Sequence, residues 1–116
     1  MHIERKTVSV TTAADGSATS YSAVITGRIL EVRYAKTDFA DGVDFTITLE
    51  RSGANIWTDT NINASERIKP IAQAQGVDGA DIADEYGPIY ACQDRVKIVI
   101  ASGGDTKSGA FEILVG

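Results

Sequence analysis

Apolar and polar residues alternate with a period of two along most of this chain, and the alternation is strongest near its end. Between residues 95 and 115, Val96, Ile98 and Ile100 fall on one face of an extended segment and Lys97, Val99 and Ala101 on the other. Eight polar or turn-forming residues follow, after which Phe111, Ile113 and Val115 alternate with Ala110, Glu112 and Leu114. The pattern predicts a β-hairpin with both faces largely apolar. Two strands bury too little surface to hold together in water, so other strands of the chain or of a neighbour must cover them.

The remaining segments supply candidates for that cover. Residues 4–12 place Lys6, Val8, Val10 and Thr12 on one face and Arg5, Thr7, Ser9 and Thr11 on the other, the dress of an edge strand. The Asp15-Gly16 turn signal then predicts a second hairpin, returning through residues 18–25 with Thr19, Tyr21, Ala23 and Ile25 on one face. In residues 28–36 Leu30, Val32 and Tyr34 are expected inward and Glu31 and Arg33 outward; in residues 44–50 Phe45, Ile47 and Leu49 face the core. Short strands are expected at 55–59, at 67–71 and from Pro88 to Cys92, with Gln93-Asp94 turning the chain into the last hairpin. Between 72 and 87, Gly76 and Gly79 break any long helix, although a single helical turn fits 80–85, and the stretch reads as one long surface loop. Eight or nine short strands at this spacing predict an all-β fold, a single-domain β-sandwich or barrel over residues 1–116, with residues 1–7 as a flexible N-terminal arm. Its core is expected from Leu30, Val32, Phe45, Ile47, Leu49, Val96, Ile98, Ile100, Phe111 and Ile113.

Composition narrows the class. A chain of 116 residues with 43% hydrophobic content has the size of one domain with one core, and no apolar run approaches the roughly 20 residues of a membrane helix. The first residues lack the apolar stretch and cleavage site of a secretory signal, which predicts a chain that stays in the cytoplasm where it is made. Cys92 is the only cysteine; an internal disulfide is excluded, and the residue is expected to pack as a small apolar side chain. A net charge of −5, a pI near 4.7 and scattered basic residues argue against nucleic acid and anionic membrane as partners.

Candidate chemistry is sparse. Residues 103–109, Gly-Gly-Asp-Thr-Lys-Ser-Gly, carry the glycines and Lys-Ser of a phosphate-binding loop, but Thr106 stands where that motif needs glycine and a strand follows instead of a helix, so a turn is expected. Asp38, Asp41 and Asp44, and Asp78, Asp81, Asp84 and Glu85, do not follow the ligand pattern of a calcium loop and read as solvated acids. His2 is the only histidine and lies in the N-terminal arm, which leaves a His-dependent nucleophilic site without material. Sixteen acids hold no selected pair for glycoside hydrolysis, and Asn63-Ala64-Ser65 is a glycosylation pattern without secretion. Trp57, Tyr21, Tyr34, Tyr86 and Tyr90 read as core or subunit contact ahead of a sugar-binding face. No catalytic centre, metal or cofactor is expected.

Residues 33–47, Arg-Tyr-Ala-Lys-Thr-Asp-Phe-Ala-Asp-Gly-Val-Asp-Phe-Thr-Ile, together with Asn55-Ile56-Trp57 and residues 95–109, resemble small virion proteins encoded among the structural genes of tailed bacteriophages. The resemblance implies a compact β-domain acting as a head decoration, or cement, protein on the outer surface of the capsid. Its implied partners are the major capsid protein and copies of itself, as a homotrimer; its implied location is the virion, after assembly in the host cytoplasm. A tail or head–tail joining component, or a carbohydrate-binding module on the virion surface, are the alternatives. Met1, His2, Ile3, Arg5 and Trp57 are the residues expected at an interface, Ile3 because it is apolar among charges.

Overall fold

The computed structural model describes residues 3–116 and contains strands and turns only. Ten strands follow one another: β1 (Glu4–Thr11), β2 (Ala18–Tyr21), β3 (Ile25–Ala35), β4 (Val43–Leu49), β5 (Asn55–Ile62), β6 (Glu66–Ile68), β7 (Ile71–Gln75), β8 (Asp81–Asp94), β9 (Val96–Ala101) and β10 (Ser108–Val115). They make two antiparallel sheets, a larger one in the order β1-β10-β3-β8-β7 with β6 also paired to β3, and a smaller one in the order β2-β9-β4-β5. The all-β sandwich expected from the alternation is the architecture, and β1 lies at a sheet edge as its polar dress suggests.

Register decides which side chains go inside. In the larger sheet Val8 and Tyr34 flank Phe111 from the two neighbouring strands, and Val32 sits opposite Ile113. In the smaller sheet Phe45, Ile47 and Leu49 face Ile100, Ile98 and Val96. The two apolar faces meet in one cluster of buried side chains. Aromatic rings fill its middle: Phe45 lies edge-on to Tyr34, Phe111 and Trp57 at centroid separations of 4.7, 5.0 and 5.5 Å. Such pairs add about 0.5–1.5 kcal/mol each beyond the area they bury. Phe39, from the β3–β4 connection, stacks near Tyr34 at 6.1 Å and rests on Gly109, where a Cβ would overlap its ring.

Neither predicted terminal hairpin forms. β9 pairs with β2 and β4 while β10 pairs with β1 and β3, so residues 102–107 cross from one sheet to the other. The reason is the pair of apolar stripes: placed in opposite sheets, Val96, Ile98 and Ile100 and Phe111, Ile113 and Val115 all join one buried cluster, whereas side by side both stripes would need another cover. The turn at residues 13–17 likewise crosses between sheets, carrying the chain from β1 to β2, although the Asp-Gly turn itself is present, closed by Gly16 N–H donating to Ala13 O. Gln93-Asp94 also leads across, from β8 to β9.

Local departures from alternation account for the other differences. Leu114 pairs with Glu31 and Val115 with Ile29, which leaves Leu30 as the extra residue of a β-bulge. The bulge shifts the parity of β3, so Ile29 and Val32 both point inward and Leu30, expected in the core, is only half-buried. In β2 the cross-strand partners of Ala18 and Ser20 are Ile100 and Ile98, so these small residues face in and Tyr21 faces out, beneath the Arg95 guanidinium at 4.3 Å. Ile89 and Ala91 take the inward positions at the end of β8, which turns Cys92 to solvent instead of the packed site expected for it. Residues 72–87 lie on the surface as expected but are a paired β7–β8 hairpin, with no helical turn at 80–85.

Candidate interaction surface

The residues named for an interface do not converge. Met1 and His2 lie outside the described residues. Ile3 is exposed, Arg5 is on the outer face of β1 with its Nε 3.5 Å from Glu112, and Trp57 is buried against Phe45 in the core. The glycine-rich stretch between β9 and β10 is stapled to the 13–17 turn: Gly103 N–H donates to Gly16 O at 2.9 Å, Thr106 N–H to Ala13 O at 3.3 Å, and Lys107 N–H to Thr12 Oγ1 at 2.8 Å. These N–H groups are engaged within the chain, as an ordinary turn requires. The first acid series is likewise structural, with Asp41 on Lys36 at 2.8 Å, Asp44 accepting from Asn61 N–H, and Asp38 accepting from Ser108 N–H. Lys36 is held protonated above its usual range chiefly by that bond to Asp41. Among the described residues no three His, Cys, Asp or Glu side chains are grouped to hold a metal ion.

Two surface features stand out instead. The first is the outer part of the β7–β8 hairpin. β8 pairs with β3 only through residues 89–94; further along, β3 takes β6 as its neighbour, and β8 peels away with β7. Both prolines lie at this departure, Pro70 buried just before β7 and Pro88 opposite Ile71, where a missing N–H ends pairing without leaving a donor unsatisfied. Beyond it the two strands form a ribbon with both long edges unpaired. Ile71, Val77, Ile82 and Tyr86 are all exposed on it, Val77 fully, and Tyr90 follows on β8. Its carboxylates, Asp78, Asp81, Asp84 and Glu85, have no Lys or Arg between residues 71 and 90 to oppose them and carry all but one unit of the chain's net −5. Pairing is irregular here: Gln73 faces Tyr86 and Gln75 faces Asp81, so β8 bulges over Ile82 to Glu85, with Asp84 at a φ of 63°.

The second feature is a groove of about 400 Å³ on the outer face of the larger sheet, lined by Arg33, Ala35, Ser65, Glu66, Arg67 and Glu112. Arg33 and Arg67 are cross-strand partners on β3 and β6, like charges set opposite one another. Glu31, nearly buried, binds Arg33 Nε at 2.6 Å, whereas Arg67 makes no ion pair among the described residues. Glu66 and Glu112 line the same groove, Glu112 opposite Arg33, so its charges are balanced. A long surface stretch such as residues 72–87 is more often functional or interface-forming than idle, so the sequence pointed to the first feature, whereas nothing in its pattern signalled the groove.

Compared with known proteins, the chain matches no family model, no curated protein and no solved structure.

Proposed function

We propose that this chain is a non-enzymatic virion structural protein of a tailed bacteriophage, a decoration protein that binds the major capsid protein on the outer surface of the head, as a homotrimer. The observation that carries the reading is the β7–β8 ribbon, with two free edges and four exposed apolar side chains on a domain otherwise folded around its own core. A two-stranded ribbon of this kind is marginal in water and is a template for pairing, so a protein surface that covers it stabilises it. The acidic balance suits a protein held away from packaged nucleic acid, and the resembling segments, residues 33–47 and 95–109, form the β3–β4 and β9–β10 framework. The test is addition of purified protein to undecorated heads of the phage that encodes it. Saturable co-sedimentation with the heads is expected; absence of binding at every concentration overturns the reading. The carbohydrate-module reading keeps one observation in its favour, the exposed Tyr86 and Tyr90 on one strand, and predicts chemical-shift changes of these residues on titration with oligosaccharides.

A further inference from the structure

The strands at the sheet edges differ in how they are protected. β1 and β2 lie close beside one another, and β1 carries Glu4, Arg5 and Lys6. β5 pairs irregularly with β4 and bears Asp59 and a positive φ at Asn61, while the three-residue β6 carries Glu66 and Arg67. The outer edge of β8 is bulged and charged over Ile82 to Glu85. Bulges and charges are what keep an edge from accepting another strand. β7, Ile-Ala-Gln-Ala-Gln, has no charge and no proline, and its far side pairs with no strand among the described residues. From this we infer that the β7–β8 ribbon is an arm whose β7 edge takes up an extended basic segment of a partner protein as a third strand. The inference deepens the proposed function, and it rests on that reading only for which protein supplies the segment, the major capsid protein.

The sign of the occupant follows from the charge balance. Residues 71–90 hold four acids and no Lys or Arg, whereas the rest of the chain holds twelve acids and eleven bases, so the ribbon carries −4 and the sandwich is close to neutral. Asp78 and Asp81 accept neutral donors, Ala80 N–H and the Gln75 amide, which leaves their charge unopposed. A second copy carries the same −5, and its ribbon laid along this one would set eight acids together, so a like chain is repelled and a basic segment attracted. A strand on the β7 edge lies two strand spacings from β8, about 10 Å, and a lysine stem reaching over the small Ala72 or Ala74 brings its charge closer. On the other face Ile71 pairs with Pro88 and Gln73 with Tyr86, so exposed Ile71 and Tyr86 offer apolar contact to the alternate residues of the added strand. The marginal two-stranded ribbon then becomes three-stranded.

The experiment follows the backbone amides of the full chain by NMR while a synthetic peptide of alternating lysine and valine, about ten residues long, is added to about 1 mM. Shifts and slowed hydrogen exchange confined to residues 71–75 are expected, weakening as salt is raised. A glutamate–valine peptide should leave these amides unchanged, and so should the lysine peptide with every backbone nitrogen methylated, which keeps its charge and loses its donors. The double variant Asp81→Lys with Asp84→Lys, whose side chains lie outside the core, should keep its β-sheet circular dichroism spectrum and lose the response. No response to the lysine peptide, an equal response to either control peptide or in the double variant, or protection of 71–75 that rises with protein concentration alone, the mark of a second copy as occupant, each overturns the inference. Head binding reads the other question. If wild type and double variant saturate undecorated heads alike, the basic-strand contact falls and the virion role stands; if the peptide adds to β7 while wild type binds no heads, the arm stands and the virion role falls.

Discussion

Asp94 is the residue through which the two sheets are tied at one end, and its removal has a calculable effect. The side chain is 4% exposed at the β8–β9 crossover and accepts N–H groups from Arg51 at 2.7 Å, Ser52 at 3.1 Å and Arg95 at 2.8 Å, joining the β4–β5 turn of the smaller sheet to the end of the larger. Burial by itself would raise its pKa, but the three backbone donors outweigh that and hold it below the ordinary carboxylate value. A hydrogen bond to a charged group contributes about 1.5–3 kcal/mol where water cannot replace it. Arg51 and Ser52 are at the surface, so water recovers part of the loss, and Asp94→Ala is expected to cost about 2–4 kcal/mol; Asp94→Asn, which keeps one acceptor, about half as much. Because the folded pKa lies below the unfolded value of about 3.9, the contribution is complete above that pH and is lost as pH falls through the folded value. Urea unfolding at neutral pH measures the difference directly, and a series into acid should show wild type and Asp94→Ala converging. A neutral-pH difference below about 0.5 kcal/mol, or one that does not shrink in acid, would refute the role of these hydrogen bonds.

Two further substitutions probe the core. The Tyr34 hydroxyl is buried without a hydrogen-bond partner among the described residues, and burial raises its pKa, so Tyr34→Phe removes an unsatisfied group and should leave stability unchanged or raise it by about 1 kcal/mol; a loss of that size on thermal unfolding would reveal a partner. Gly109→Ala places a Cβ within 2.8 Å of Phe39 Cδ2 and Cζ, so the ring must leave its seat, at a cost of about 1–3 kcal/mol; a melting temperature equal to that of wild type would show that the ring moves freely.

The inside of the molecule was legible where strands keep strict alternation. Phe45, Ile47, Leu49, Val96, Ile98 and Ile100 were read as core and are buried, because every one sits on a strand without a bulge between its apolar positions. Leu30 failed for the opposite reason: one inserted residue changes parity, and nothing in the run from Ile29 to Tyr34 marks which residue is inserted. Pairing was less legible than burial. An apolar stripe specifies that a strand needs a cover and is silent on whether the cover lies beside it or across the sandwich, so β9 and β10 read equally well as a hairpin. The candidate arm was hidden by its composition. Glycines and acids in residues 76–85 resemble a loop, and the pairing there rests on backbone and on Gln73 and Gln75 side chains, which donate to Ile82 O and Asp81 Oδ1, with no apolar alternation to announce it.

The topology separates the part that folds from the part proposed to dock. Only β4–β5 and β7–β8 join strands that are consecutive in the chain; every other pairing closes a longer segment, and most connections cross between sheets. The sandwich therefore forms through non-local contacts whose loop-closure entropy must be met together, which makes its assembly cooperative and sensitive to core changes. The β7–β8 ribbon is local and sits outside that cooperative unit beyond Pro88. Its side chains make no contribution to the buried cluster, so exchanging its acids or its apolar residues alters what the surface can bind while leaving the sandwich intact. The converse holds for β8 beyond Gly87: Ile89 and Ala91 belong to the core and Arg28 faces Tyr90 across the ladder, so one strand is anchored at one end and available at the other. A covered arm would be held in place by that anchored half, and the ordering entropy of only the short outer ribbon would oppose docking, which favours a contact that forms without disturbing the fold beneath it.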